Sequence, residues 1–276
     1  MRIAIIGSKG QLGTALQARL AGNTLLPLDL PELDITDPFQ VRSALERFAP
    51  EVVIHAAAMT NVDQCETEPD LAYRVNALGT QNVALACQRC DATMVYISTD
   101  YIFDGAKGAP YFEYDTPAPL SVYARSKLAG EWATQTLLRR FYIARTAWLY
   151  TPGGRNFVQT VLRLAREKGA LTMVTDESGS PTFAPDLADA IARLIPTQVY
   201  GIYHFTNSGT CSRYEWAKEI LRLAGLAHVP VTPSQNYVRP APVPKHVELR
   251  NLCGAQVGIR FRPWAEALAD YFKAAR

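Results

Sequence analysis

The chain has 276 residues, of which 48% are hydrophobic and 20% charged, with a formal net charge of +2. That length can bury a large core as one α/β domain with a lobe or as two modest domains, and so balanced a charge argues against a nucleic-acid or membrane-surface partner. No apolar run is long enough to cross a bilayer, and the opening Met1-Arg2-Ile3-Ala4-Ile5-Ile6 reaches glycine too soon to be a secretion signal. A cytoplasmic location is expected.

Residues 2–6 read as a fully buried strand that runs into Gly7-Ser8-Lys9-Gly10-Gln11-Leu12-Gly13 and then a helix over 14–20. A strand, a glycine turn and a helix N-terminus together present backbone N–H groups to a pyrophosphate. Gly7 permits the turn, Gly10 lets a phosphate approach the backbone, and Gly13 lets the helix pack closely. The next strand, 24–28, ends at Asp29, about twenty residues beyond the first glycine, where an acid reaches the adenosine ribose. Such an acid favours NADH, whereas Lys9 in the turn favours NADPH, so either cofactor is compatible.

Asp37 and Pro38 predict a capped helix start, followed by a third strand, 52–55, ending in Ala56-Ala57-Ala58-Met59-Thr60. Small residues there leave room for a flat ligand against the backbone. His55, leaving a buried strand, reads as a packed side chain. Residues 69–90 carry apolar positions at helical spacing with a gentle break near Gly79, and Asn76 is placed toward the crevice. Cys87-Gln88-Arg89-Cys90 ends that helix, so this C-x-x-C, in a chain of five irregularly spaced cysteines, is structural.

A fourth strand, 94–97, leads to Ser98-Thr99-Asp100-Tyr101-Ile102-Phe103-Asp104-Gly105. A long helix over 120–140 then carries Tyr123-Ala124-Arg125-Ser126-Lys127. Tyr and Lys four apart share a helix face, so the ammonium is expected to favour phenolate and lower the phenol pKa from about 10. Thr99, at the strand end, could hydrogen-bond a carbonyl that the tyrosine protonates. After the strand at 142–145, the repeated strand–helix alternation predicts a Rossmann-like doubly wound parallel sheet with helices on both faces.

Residues 1–150 are assigned to the dinucleotide-binding unit, with parts of 184–208 returning to it, and 151–276 mainly to a smaller substrate-binding lobe. In that lobe a helix is expected over 156–168, a strand over 171–174, a turn at Gly179-Ser180-Pro181-Thr182, and helices over 186–194 and 264–273. Residues 230–244 are proline-dense and expected to be irregular, with Arg239 as a fixed cation.

Together, Gly7, Gly10 and Gly13, the Ala56-Ala57-Ala58 strand end, Thr99, Tyr123 and Lys127 resemble the extended short-chain dehydrogenase/reductase superfamily. Further motifs narrow the resemblance to its dTDP-4-dehydrorhamnose reductase family over nearly the whole chain. These are Leu33-Asp34-Ile35-Thr36-Asp37, Arg145-Thr146-Ala147-Trp148, Asn156-Phe157-Val158, Gly179-Ser180-Pro181-Thr182, Arg239-Pro240 and Arg262-Pro263-Trp264.

The resemblance implies reduction of dTDP-4-dehydro-β-L-rhamnose by NADPH or NADH, with Tyr123 as proton donor beside Lys127. Gly10, Gln11 and Leu12 would meet the pyrophosphate, Asp29 the adenosine side, and Asp34 and Ile35 the adenine. Ala58, Met59 and Thr60 would pass beneath the ribose and nicotinamide, with Ile97 behind them. Thr99, Asp100, Tyr101, Phe103, Trp148 and Asn156 would contact the sugar, and Arg239 the nucleotide diphosphate.

One departure from the family pattern is Ala241-Pro242-Val243-Pro244-Lys245 after the Arg-Pro pair, which bears on sugar recognition. No metal is predicted. The partners implied are a dTDP-sugar substrate, with no nucleic acid and no membrane, and a homodimer is allowed. The alternatives are a reductase giving another epimer of the 6-deoxysugar and a non-catalytic NADP-binding regulatory subunit.

Overall fold

The computed structural model describes residues 1–235 and 237–274 of the chain. In the first half, buried strands alternate with helices. Strand β1 (Arg2–Ile6) runs into α1 (Gln11–Arg19), β2 (Thr24–Leu28) into α2 (Pro38–Phe48), and β3 (Val52–His55) into α3 (Val62–Thr67) and α4 (Pro69–Tyr73). Asp37 caps α2 by accepting from the N–H groups of Phe39 and Gln40, and Pro38 sits in the first turn, where no N–H is required.

The break expected near Gly79 is a wide π-type turn, Arg74–Gly79, between α4 and α5 (Thr80–Arg89). Strand β4 (Thr93–Thr99), helix α6 (Val122–Leu137) and β5 (Phe141–Thr146) follow. Gly130 lets α6 lie against β4, because a Cβ there would run into the Tyr96 hydroxyl.

The second half is less regular. Elements β6 (Leu149–Tyr150), α7 (Phe157–Lys168), β7 (Leu171–Val174), β8 (Ser178–Gly179) and β9 (Thr182–Phe183) lead to α8 (Ala184–Leu194) and β10 (Gly201–His204). Then come β11 (Cys211–Ser212), α9 (Arg213–Leu223), β12 (Val231–Ser234), α10 (Cys253–Gln256) and α11 (Trp264–Ala274). Strand β12 corrects the expectation of irregular chain over 230–244, since its residues pair in parallel with β7.

The six strands β2–β1–β3–β4–β5–β10, in that spatial order, form one parallel sheet. Alternation along β1 sends Ile3 and Ile5 to the face covered by α1 and α8, and Ala4 and Ile6 to the face covered by α2 and α5. A separate core of Tyr150, Leu162, Trp216, Ile220, Leu268 and Tyr271 joins α7, α9 and α11. The strand order reverses between β1 and β3, and ligands of open parallel sheets bind outside the strand ends at such a point. No described helix is long and apolar enough to cross a membrane.

Candidate active site

A cavity of about 1140 Å³ opens at the carboxyl ends of β1, β3, β4 and β5. Its floor is main chain. Gly7 takes a positive φ of 86°, and a Cβ there would lie 2.5 Å from the Ala57 nitrogen; a Cβ on Gly13 would run into the Gly7 carbonyl. Helix α1 starts at Gly10 with no side chain capping it, so the first-turn N–H groups face the cavity without an intrahelical partner. A 9-residue helix with a bare N-terminus at a glycine turn fits a pyrophosphate.

Asp29 and Lys9 both line this end, but each is already engaged. The Asp29 carboxylate accepts from the N–H groups of Lys9 and Leu30, both at 2.8 Å. Lys9 Nζ donates to the Leu30 carbonyl at 2.7 Å and pairs with Glu32 at 2.8 Å. Asp34, Ile35, Ala56, Ala57, Ala58, Thr60 and Ile97 line the same cavity.

Farther along, Thr99, Asp100, Tyr101, Tyr123 and Lys127 share one wall. Ser121 caps α6 by accepting from the Ala124 N–H, which fixes the first turn that carries Tyr123. Thr99 Oγ1 donates to Asp100 Oδ1 at 3.1 Å and accepts from the Tyr101 N–H at 3.2 Å.

The expected acidification of Tyr123 by Lys127 is corrected by the geometry. Lys127 Nζ donates to the Ile97 carbonyl at 2.7 Å and lies 4.1 Å from the centre of the Tyr96 ring. Burial pushes the Tyr123 phenol above its ordinary range, only partly offset by the Thr99 hydroxyl. Burial also pulls Lys127 down to about 7, against the attraction of Glu131. Asp100 is pushed up to about 7 by burial, with Thr99 and Arg213 pulling the other way. A phenol held protonated suits a proton donor.

The opposite wall is built from stacked side chains. Trp148 holds a left-handed φ of 45°, a strained conformation for a large residue. The Arg213 guanidinium lies 3.5 Å from the centre of its ring, and Trp216 stacks at 5.6 Å. A Cβ on Gly179 would come 2.8 Å from Trp148 Cε2, so Gly179 leaves space for the indole.

Comparison with known proteins decides what kind of site this is. The family described as RmlD substrate binding domain matches residues 1–276. This chain belongs to that family. The Bacillus subtilis spore coat polysaccharide biosynthesis protein SpsK is 40% identical over 99% of this chain and 97% of its own. The dTDP-4-dehydrorhamnose reductase of Mycolicibacterium smegmatis is 40% identical over 98% of this chain and 84% of its own. A crystal structure of dTDP-4-dehydrorhamnose reductase from Bacillus anthracis in complex with NADP superposes with a TM-score of 0.96 at 40% identity, covering 99% of each chain.

Four residues expected at the site of this RmlD-family chain are not among those that line the cavity. Phe103 is fully buried and stacks on Tyr111 at 4.3 Å, in a core cluster with Val247 and Leu249 behind the wall. Asn156 caps α7 by accepting from the Gln159 N–H and donates to Gln11 Oε1 at 3.1 Å, so it joins the two halves. Arg239 pairs with Asp63 of α3 at 3.2 Å and lies within electrostatic reach of Tyr101. Met59 packs beside Tyr123 and Cys65, and Asn76 binds its N–H at 2.8 Å and its carbonyl at 3.1 Å. Asn76 therefore braces the crevice from behind instead of facing it.

His55 is buried against Thr80 at 3.1 Å and pushed down to about 3, a packed neutral ring. All five cysteines are free, and burial pushes Cys87 up. Among the described residues no cluster of three or more His, Cys, Asp or Glu could hold a metal. Arg213 escaped the sequence reading, although Ser212 and Glu215 form a reciprocal capping box that announces the helix beginning at Arg213.

Proposed function

We infer that this chain is an NAD(P)H-dependent dTDP-4-dehydrorhamnose reductase, converting dTDP-4-dehydro-β-L-rhamnose to dTDP-L-rhamnose. The observation that carries this reading is that Tyr123, Thr99 and Lys127 converge on the same cavity as the Gly7–Gly13 turn. The sequence relatives and the solved structure named above support it.

Gly10, Gln11 and Leu12 would hold the cofactor pyrophosphate, with Asp29 and Lys9 toward the adenosine ribose and Asp34 and Ile35 toward the adenine. Ala58, Thr60 and Ile97 leave a flat slot for the nicotinamide. When bound, the reduced nicotinamide supplies a hydride to the C4 ketone. The rest is the work of this chain's own residues.

The Thr99 hydroxyl, now donated to Asp100, turns to the C4 oxygen and orients it. Tyr123, kept protonated by burial, gives its proton to that oxygen as negative charge develops there. The carbonyl gains one hydride at carbon and one proton at oxygen, which balances the reduction. Lys127 stands one helical turn from Tyr123 and would hold the cofactor ribose. Trp148, with Arg213 stacked on it, walls the sugar, and Asp100 and Tyr101 border it.

Residues 1–150 with parts of 184–208 serve the cofactor and most of 151–276 serves the sugar, a division supported by β10 lying in the main sheet and by the separate core around Trp216. We place the enzyme in the cytoplasm, acting on a dTDP-sugar without nucleic acid or membrane, in keeping with its net charge of +2. A homodimer is the assembly to test by light scattering.

The deciding assay is NADPH absorbance on adding dTDP-4-dehydrorhamnose, with NMR of the product sugar. Tyr123→Phe should lower kcat by about 10²–10⁴-fold with cofactor affinity unchanged. Full kcat in that variant would refute the reading.

A further inference from the structure

Glu131 lies one turn beyond Lys127 on α6, on the face that carries Tyr123. It is fully buried, and both of its oxygens are engaged by Arg145 of β5, Oε1 by Nε at 3.0 Å and Oε2 by Nη2 at 2.7 Å. Arg145 also reaches the Glu113 carbonyl at 3.4 Å and lies 3.4 Å from His204 Nε2. Lys127 is 3% exposed, with its ammonium on the Ile97 carbonyl and the Tyr96 ring.

The titratable groups near Lys127 are His55 from β3, Tyr96 from β4 and, one turn to either side on α6, Tyr123 and Glu131, the last bound to Arg145 of β5. Burial holds His55 neutral and pushes both tyrosines up, so these three carry no charge at neutral pH. Among these groups Glu131, one turn away on α6, is the one whose charge favours the Lys127 ammonium. Arg145 thus binds the carboxylate directly, while Lys127, one turn away on the same helix face, meets it only through space.

We propose that the Glu131–Arg145 pair positions and charges Lys127: Glu131 supplies the counter-charge that keeps the buried ammonium protonated, and Arg145 limits how much of that charge the lysine feels. The proposal rests on reading Tyr123 and Lys127 as the working pair. A pair that merely ties α6 to β5 would cost stability when broken and leave the protonation of Lys127 alone. This arrangement demands opposite effects from its two members.

Removing the anion disfavours the ammonium, so Lys127 loses its proton at lower pH; removing Arg145 frees Glu131 and does the reverse. The experiment is the pH profile of kcat/KM for wild type, E131Q, R145M, E131D and E131Q/R145M, each checked for folding by circular dichroism and thermal melting. In E131Q the basic limb should fall by about one pH unit, which is about a tenfold loss on that limb with recovery toward acid. R145M should move the limb upward, and E131D should restore it.

Because E131Q leaves a buried guanidinium without its partner, the double variant E131Q/R145M removes both charges and should keep the downward shift in a folded protein. A limb unmoved in the folded double variant, or displaced the same way in E131Q and R145M, overturns the proposal. Failure of every variant to fold, E131D included, also overturns it, since the pair would then be purely structural. Tyr123→Phe separates the two readings: full turnover there sinks the functional assignment itself, whereas a dead Tyr123→Phe with unmoved limbs rejects only the role of Glu131.

Discussion

The glycine turn at the head of α1 and the tryptophan wall across from it close the same cavity by different means. At the turn, main chain meets main chain: Gly7 lies on Ala57, and Gly13 lies on the Gly7 carbonyl. Across from it, Trp148, Arg213 and Trp216 stack side chain on side chain, gathered from β5–β6 and α9. Backbone N–H groups recognise what all dinucleotides share, their phosphates, and they do so at fixed spacing. Side chains discriminate one sugar from another. At Gly7 and Gly13 the first wall is intolerant of an added Cβ; the second can adjust by rotamer.

The sharpest way to test that contrast is Gly13→Ala. The new methyl would meet the Gly7 carbonyl and the Ser8 backbone, and backbone cannot step aside as a flexible side chain can. Helix α1 must shift, with an overpacking cost of about 1–3 kcal/mol and loss of the first-turn geometry that a pyrophosphate needs. Cofactor affinity should fall by more than about tenfold, read by titration of NADPH fluorescence, with a lower thermal midpoint. An unchanged affinity would mean that the turn is not the cofactor floor.

Gly179→Ala probes the other wall and should do less. Its methyl would come 2.8 Å from Trp148 Cε2, but the indole can tilt, taking Arg213 with it. The KM for the dTDP-sugar should rise about tenfold, roughly 1.4 kcal/mol, while cofactor affinity stays within twofold. A cofactor defect of similar size would erase the distinction between the walls.

The same contrast explains what the sequence discloses. Gly7, Gly10 and Gly13 are legible because backbone recognition requires particular residues at particular spacing within one strand–turn–helix unit. Tyr123 and Lys127 are legible as neighbours on a helix, yet their electrostatics are not, because burial depends on His55, Tyr96 and Arg145 from other strands. Phe103 sits within a motif beside Thr99 and still points into the core, since a short turn after β4 sends neighbouring side chains in different directions. Arg239 looks like a free cation until folding brings Asp63 to it across the chain. Trp148 is legible from its motif; the Arg213 that stacks on it is far away in sequence and unmarked.

The smallest expected effect tests whether the glycine-turn wall also carries a choice between cofactors. Lys9 lines the cavity beside Asp29 and is the cation proposed to meet a 2′-phosphate, but Glu32 holds its ammonium at 2.8 Å, and both side chains are 58% exposed. Glu32→Gln removes the competing carboxylate, so the ratio of kcat/KM for NADPH over NADH should rise. The gain is bounded by the small worth of an exposed, solvent-screened ion pair, no more than about fivefold. It should shrink as salt is raised, because the charges are screened over about 10 Å at 0.1 M. A ratio that falls, or one indifferent to salt, would show that Lys9 serves only to order the turn through the Leu30 carbonyl, leaving Asp29 to set the preference.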